Sequence, residues 1–456
     1  MTVTRPCASA HCSGAAPQIN TICKALKWPV SHPVETNDAN GPCVCSCSCL
    51  AFGTPVQVAE DEYRAIEAFK VGDSVLATGK DLKWRHSKVT FSQGTTGASR
   101  QKYAVVVVYG GTGLVVTSDH VFLMSDGSLK TADRLAPTDE LVSPAGQPVE
   151  IESVHIGDYV SGFHHIATVK KEPNKNLDQH LLNTNGVVSG DYSLQLFYKS
   201  GEGHHLMTNG HEDLPIVGSA EYRRLYGDSS LSAPRLRGQD MILLEKNIPD
   251  PFSGQFISAE AMKLSIPEDA ASFISEEEAE ARRDDPKREF NDPAAREWTE
   301  ALINFYQVFF PQISFQFNWA DNTVNAYAWV QNGVRYVAIL GGLVRTPAIE
   351  LEGISLVLAH ELAHHYGGNP TFPGGLSCEG QSDYYGMLVN MRKVWFGDQY
   401  ITVAGKAIAQ MADFFGVPNS PNVPGGHAGC DHPPGSCRIA TYYAAVNLQL
   451  KPGCAS

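Results

Sequence analysis

The apolar residues of this chain change their period part-way along it, so neither a single sheet nor a single helical bundle accommodates the whole. From residue 49 to about 195, short β-branched runs at 56–58, 74–77, 104–108 and 114–116 alternate with turn signals such as Gly110-Gly111 and Ser125-Asp126-Gly127. That punctuation marks strands and predicts an all-β domain. From about 290 the period becomes helical. Asp292-Pro293 reads as a helix start, and Trp298, Leu302, Phe305 and Phe309 follow at helical spacing as core. Residues 322–340 read as a hairpin turning at Asn332-Gly333, and 349–366 as a helix ended by Gly367-Gly368. Further helices are expected at 383–395, 403–415 and 438–448. The expected fold class is multidomain: an all-β domain followed by an α+β, mainly helical one. The expected division is 1–48, a Cys-rich segment; 49–198, the β domain; 199–290, a connecting region; and 291–456, the helical domain. The charged run at 275–286 reads as a solvated helix or linker.

Composition narrows the function. The 456 residues suffice for roughly two to four domains, and 43% hydrophobic against 18% charged residues excludes wholesale disorder. A net charge of −14 is the wrong sign for gripping phosphate backbones, so no nucleic-acid partner is expected. No apolar stretch reaches the ~20 residues of a membrane helix, and 104–116 is broken by Gly110, Gly111 and Gly113, so no integral membrane segment is expected. Seven cysteines lie in residues 1–49, four lie at 378, 430, 437 and 454, and none lies between. With Cys49 set aside for chemistry, the remaining sets are even, which suits disulfides and an oxidising compartment, outside the cell or in its envelope. Residues 1–41 lack a charged start followed by an apolar block, so no secretory signal is expected. The compartment stays open at this point, as does the oligomeric state.

The strongest local signal is His360-Glu361-Leu362-Ala363-His364. Positions i and i+4 share a helix face, so both imidazoles can address one ion, with Glu361 beside it to accept a proton from bound water. Apolar Ile354, Leu356, Val357, Leu358 and Leu362 imply a buried helix, where two histidines and a carboxylate without partners would be costly; Zn²⁺ satisfies all three. Glu379, at the head of the next predicted helix, is the expected third ligand, and Asp383 is placed to orient a ligand histidine. His365 reads as structural.

With these residues in place, the chain resembles the HtpX-like and CAAX-prenyl-protease-like gluzincin peptidases. The family's Glu-x-x-x-Asp element is matched by Glu379 and Asp383, and its Asn-Ala-aromatic-Ala strand by Asn325, Ala326, Tyr327 and Ala328. Its His-Pro followed by Arg is matched by His432-Pro433 and Arg438. The resemblance implies a zinc endopeptidase acting on a polypeptide substrate. His360, His364 and Glu379 would hold the metal and Glu361 would act as base. His432 and Arg438 would face the oxyanion, and residues 325–328 would form an edge strand that pairs with extended peptide. The absence of spans places it with a soluble branch, and the C-terminal cysteines are not part of the family motif.

The β block carries a second resemblance. Cys49-Leu50-Ala51-Phe52-Gly53-Thr54, then Thr117-Ser118-Asp119-His120, is similar to the Hint domain of hedgehog C-terminal regions and inteins; residues 132–135 and 151–154 fall where that fold expects strands. The resemblance implies that Cys49 attacks the carbonyl of Ser48 to form a thioester, with Thr117 fixing the scissile peptide and His120 protonating the departing nitrogen. Residues 187–190, Val-Val-Ser-Gly, lack the terminal Asn that splicing needs, and Asn185-Gly186 sits too early. N-terminal cleavage is therefore expected and excision of the block is not. The principal reading is a zinc endopeptidase carrying a self-processing Hint domain. The alternatives are a Hint-bearing protein of polymorphic-toxin type with a metallopeptidase effector, and a metal-stabilised binding module without turnover.

Overall fold

Tight turns with positive φ organise the first part of the chain. β1 (Leu50–Ala51) is joined in one sheet by the hairpin of β2 (Arg100–Tyr109) and β3 (Thr112–Thr117), which turns at Gly110 (φ 53°) and Gly111 (φ 76°). Two consecutive positive φ values give the turn whose twist matches that of the strands, and glycine adopts them without strain. The valines at 105–108 and 115–116 are all buried, which is why their run is continuous rather than alternating. The structure, a computed structural model, describes residues 34–38, 41–45, 50–94, 100–169, 173–199, 213–234 and 254–456. It divides into two compact units, Met1–Ala261 and Met262–Ser456.

In the first unit, the sheet continues through β4 (Pro148–Val160), which pairs with β2, and β5 (Phe163–Ala167), which pairs with β1. The order β4-β2-β3-β1-β5 is antiparallel throughout. A second sheet contains the hairpin of β6 (Leu181–Thr184) and β7 (Val187–Gly190), followed by α1 (Tyr192–Lys199). Asn185 (φ 49°) and Gly186 (φ 87°) form that hairpin's turn, so their place in the chain is a matter of strand geometry. Residues 151–154 lie in β4, but 132–134 form a 3-10 turn where a strand was expected. Asp133 and Arg134 there are occupied with residues further along the chain, Asp133 O accepting from Val217 N and Arg134 donating to the Leu214 carbonyl.

The segment 199–290, expected to connect the domains, contributes to both units instead. Gln255–Ser258 adds a strand to β4, and Tyr222 of the short helix Ala220–Tyr226 donates its hydroxyl to the Leu135 carbonyl. The apolar residues that anchor it, Ile216, Val217, Tyr222 and Leu231, are too sparse to show a period, so only their burial reveals them.

The second unit has a four-stranded sheet in the order β8 (Ala271–Ser272), β10 (Ala326–Gln331), β11 (Val334–Leu340), β9 (Ile313–Asn318). β10 and β11 form the expected hairpin at Asn332 (φ 52°) and Gly333 (φ 77°), while β9 adds a parallel strand beside β11. The helices are α2 (Glu276–Ala281), α3 (Pro293–Phe309), α4 (Leu351–Tyr366), α5 (Glu379–Tyr385), α6 (Asp398–Phe415) and α7 (Gly435–Val446). α4 runs through the core among Leu302, Tyr306, Met387, Met391, Ile408 and Met411. Each such aliphatic or aromatic side chain contributes about 1.5–3 kcal/mol on burial. α5 approaches α4 so closely that a Cβ at Gly386 would lie 2.8 Å from the Ala359 carbonyl oxygen. The expected helix 383–395 is present as one continuous run from Glu379 to Val394, in which α5 widens into a π-turn at Gly386–Met391 before a last turn at Arg392–Val394. Disulfides join Cys378 to Cys430 and Cys437 to Cys454. No described helix is long and apolar enough to cross a membrane.

Candidate functional site

α4 is buried from Gly353 to His364, so the polar groups it carries must find partners inside the protein. Spacing of one turn brings the Nε2 atoms of His360 and His364 to 3.1 Å. Behind them, His360 Nδ1 lies 2.8 Å from Asp383 Oδ1, and His364 Nδ1 lies 2.7 Å from the Ser377 carbonyl oxygen. Those oxygens accept a proton from Nδ1, which turns each Nε2 toward the other and toward Glu379. Two ring nitrogens this close need a proton or a metal cation between them. α5 brings Glu379 to the same point, with Oε2 3.2 Å from His360 Nε2 and Oε1 3.5 Å from His364 Nε2. Ligands at 2.0–2.1 Å around a tetrahedral zinc are separated by about 3.3 Å, and the three observed separations bracket that figure. The donor set therefore fits Zn²⁺.

Glu361 projects from the same turn, its carboxylate within 4.8 Å of the His360 and His364 ligand atoms. Both its oxygens are buried without a hydrogen-bond partner among the described residues. Burial pushes its carboxyl up to about 8, against the pull of His360. An unpartnered buried carboxylate costs several kcal/mol, so a nearby cation explains what packing alone does not. Burial lowers His364 to about 4 despite Glu379. At His360 burial acts in the same direction, but Asp383 outweighs it and raises the imidazole to about 9. Burial also works against the Glu379 anion, yet His364 and His360 bring its carboxyl below the usual range.

Asp383 is the hub behind the centre. It accepts from His360, from Arg438 Nε (2.9 Å) and Nη2 (2.7 Å), and from the Tyr442 hydroxyl (2.8 Å). Burial opposes its charge, but Arg438 and His360 hold its carboxyl well below the usual range. Tyr442 and Ser377 are absent from the sequence reading. Tyr442 follows Arg438 by one helical turn on α7, a spacing that could have found it.

The remaining residues expected at the cleft meet this chain's own backbone. Arg438 Nη1 donates to the Phe273 carbonyl at 2.6 Å, and His432 Nε2 donates to the Ser272 carbonyl at 2.7 Å. The Asn325 side chain binds both the N–H and the C=O of Ile274, at 3.1 and 3.0 Å. Ala328 pairs with Ala271 and Tyr327 with Ser272, and Ala326 accepts from Phe273 N. Residues 325–328 were expected as an open edge. In the structure β8 covers that edge, so β10 is an interior strand.

In the first unit, Thr117 ends β3, and a turn closed by His120 N on the Thr117 carbonyl buries His120 completely. His120 Nδ1 accepts from Gln195 Nε2 at 2.7 Å. His165 of β5 lies beside it, with ring centroids 5.9 Å apart. Neither Nε2 has a hydrogen-bond partner among the described residues. Burial lowers both histidines to about 3, so both are neutral. Leu50 pairs with Val116 on one side and His164 on the other. Thr117 and His165 are thus chain neighbours of the residues that flank β1. Cys49 and Ser48 lie outside the described residues. His165 and Gln195 were missed in the sequence, where no local motif marks them.

No family model matches the chain, and no curated protein matches it. Solved structures similar to it cover about a third of its length. An intein-like domain from Clostridium thermocellum is 20% identical, over 32% of this chain and 100% of that one, with a TM-score of 0.28. A DnaB intein from Synechocystis sp. PCC 6803 is 16% identical, over 32% and 99%, with a TM-score of 0.26. The gp41-1 intein is 15% identical, over 32% and 100%, with a TM-score of 0.25.

Proposed function

We propose that the second unit is a zinc-dependent endopeptidase of the gluzincin type and that the first is a Hint-type domain that cleaves the chain before Cys49. The observation that carries the peptidase reading is the approach of His360, His364 and Glu379 to within 3.1–3.5 Å of one another, with the unpartnered Glu361 carboxylate alongside. Zinc held by these three residues would polarise a water and lower its pKa. Glu361 is placed to accept a proton beside the site and to hand one to the leaving amine nitrogen. Asp383 and the Ser377 carbonyl hold the two imidazoles in the tautomer that ligates. His432 and Arg438 face the oxyanion that develops on the scissile carbonyl.

For the β unit, Cys49 Sγ bonds to the Ser48 carbonyl carbon as the C–N bond breaks. The thiol proton passes by way of His120 to the departing nitrogen, which becomes the α-amine of Cys49, and water then opens the thioester to free residues 1–48. The buried His120, whose Nε2 has no partner among the described residues, supports that role. The two C-terminal disulfides support an oxidising compartment.

Metal analysis and peptide hydrolysis test the peptidase reading together. Wild type is expected to hold about one zinc per chain, His364→Ala and Glu379→Ala to lose it, and Glu361→Gln to keep it while losing hydrolysis by roughly a thousandfold or more. A native protein that takes up no zinc overturns the reading.

A further inference from the structure

Residues 271–274 lie where an extended peptide would lie in the proposed peptidase site. Ala271 and Ser272 pair antiparallel with Ala328 and Tyr327, and Phe273 N donates to the Ala326 carbonyl. Successive carbonyls of a strand point to opposite sides. The Ser272 carbonyl goes to His432 and the Phe273 carbonyl to Arg438. These are the two donors that the peptidase reading assigns to the oxyanion formed from a substrate carbonyl. The Phe273 ring meets the His360 ring edge-on at 5.3 Å, with the rings of Phe414 and Phe415 each 6.1 Å away and the Arg438 guanidinium 4.4 Å over its face. Phe273 is wholly buried, and His360, Glu361, His364 and Glu379 are each no more than 1% exposed. With this segment in place, Glu361 presents no exposed surface.

We propose that residues 271–274 are a built-in pseudo-substrate: the chain occupies its own peptide cleft, and displacement of this strand opens the metal centre. The inference rests on the peptidase reading and deepens it. The substrate is an extended peptide running antiparallel to β10, with a large aromatic side chain in the Phe273 position against His360, Phe414 and Phe415. A merely structural strand would need the pairing with β10. It would not need consecutive carbonyls taken by His432 and Arg438, nor an aromatic ring packed on a metal-ligand imidazole. Glu268 and Asp269, just ahead of the segment, are exposed, while Ala270 packs against the cluster of Tyr327 and Trp329.

The test uses the full-length, zinc-loaded chain. Phe273→Gly is expected to speed zinc removal by excess EDTA at least tenfold and to raise hydrolysis of an internally quenched peptide containing phenylalanine by a similar factor. Equal chelation and hydrolysis rates in the folded variant overturn the inference. Should that variant not fold, amide exchange on wild type decides the matter. Addition of a phenylalanyl-leucine hydroxamate is expected to expose the amides of 271–274, and a segment that stays protected in the hydroxamate complex overturns the proposal. A chain that holds no zinc removes the peptidase reading and the inference together. One that holds zinc and hydrolyses peptide, yet releases zinc at the same rate without the Phe273 ring, removes only the inference.

Discussion

The second unit sets His360 and His364 with their Nε2 atoms 3.1 Å apart and an acceptor behind each Nδ1. The first unit sets His120 and His165 with ring centroids 5.9 Å apart and a donor, the Gln195 amide, on His120 Nδ1. Both pairs are buried, and both lie at the end or in the middle of a well-packed element. What differs is the group behind the ring. An acceptor there holds the proton on Nδ1 and turns the Nε2 lone pair outward, which makes a ligand. A donor there holds the ring proton on Nε2, which leaves no lone pair on that side for a metal. The carboxylates follow the same division. Asp383 and Glu379 converge on the first pair of rings, while His120 and His165 have no carboxylate among their hydrogen-bond partners in the described residues. Two imidazoles in a core therefore do not define a chemistry until their outer partners are known.

That contrast is open to direct attack. The largest effect is expected from His120→Ala, which should slow release of residues 1–48 by roughly 10²–10⁴-fold, read by intact mass over time, while the zinc content stays unchanged. Equal cleavage in wild type and variant would remove the acid role from this histidine. A smaller effect is expected from Asp383→Asn. With the acceptor behind His360 weakened, zinc affinity should fall by about 10–100-fold, measured by competition with a chromophoric chelator; an unchanged affinity would sever the link between the outer partner and the ligand.

The smallest effect concerns acid. His120 and His165 are lowered by burial to about 3, so the folded first unit binds fewer protons than its unfolded chain between about pH 6.5 and 3. Their contribution is fully present above about pH 6.5 and is lost as pH falls through that window, by roughly 1 kcal/mol per pH unit for each imidazole. Limited proteolysis at pH 7, 5 and 4, with fragments assigned by mass, should show cuts appearing in residues 100–190 as the pH falls. A first unit equally resistant at all three values would mean that these rings are not buried neutral.

Features confined to one turn or one hairpin were legible in the sequence. His360, Glu361 and His364 share a helical turn, so their convergence needs only the helix, and Asn332-Gly333 turns a hairpin for reasons internal to two residues. Glu379 was reachable through its place at the head of the following helix. Long-range partners were less so. Arg438 donates across 165 positions to Phe273, and His432 across 160 to Ser272. A two-residue strand of Ala271 and Ser272 has no period from which to read it. Expecting β10 to be an open edge was reasonable from residues 325–328 alone, because the strand that closes it lies some fifty residues earlier in a polar stretch.

What the sequence by itself determined is the local chemistry: which imidazoles share a face, where strands give way to helices, and which glycines and asparagines turn the chain. Those depend on bond geometry and side-chain type over a few residues. Only the tertiary structure decided which group stands behind each histidine, that Arg438 and Tyr442 both meet Asp383, and that residues 271–272 pair along β10. Those outcomes depend on which groups are pressed together once water is excluded, and burial fixes them between residues that no spacing rule connects.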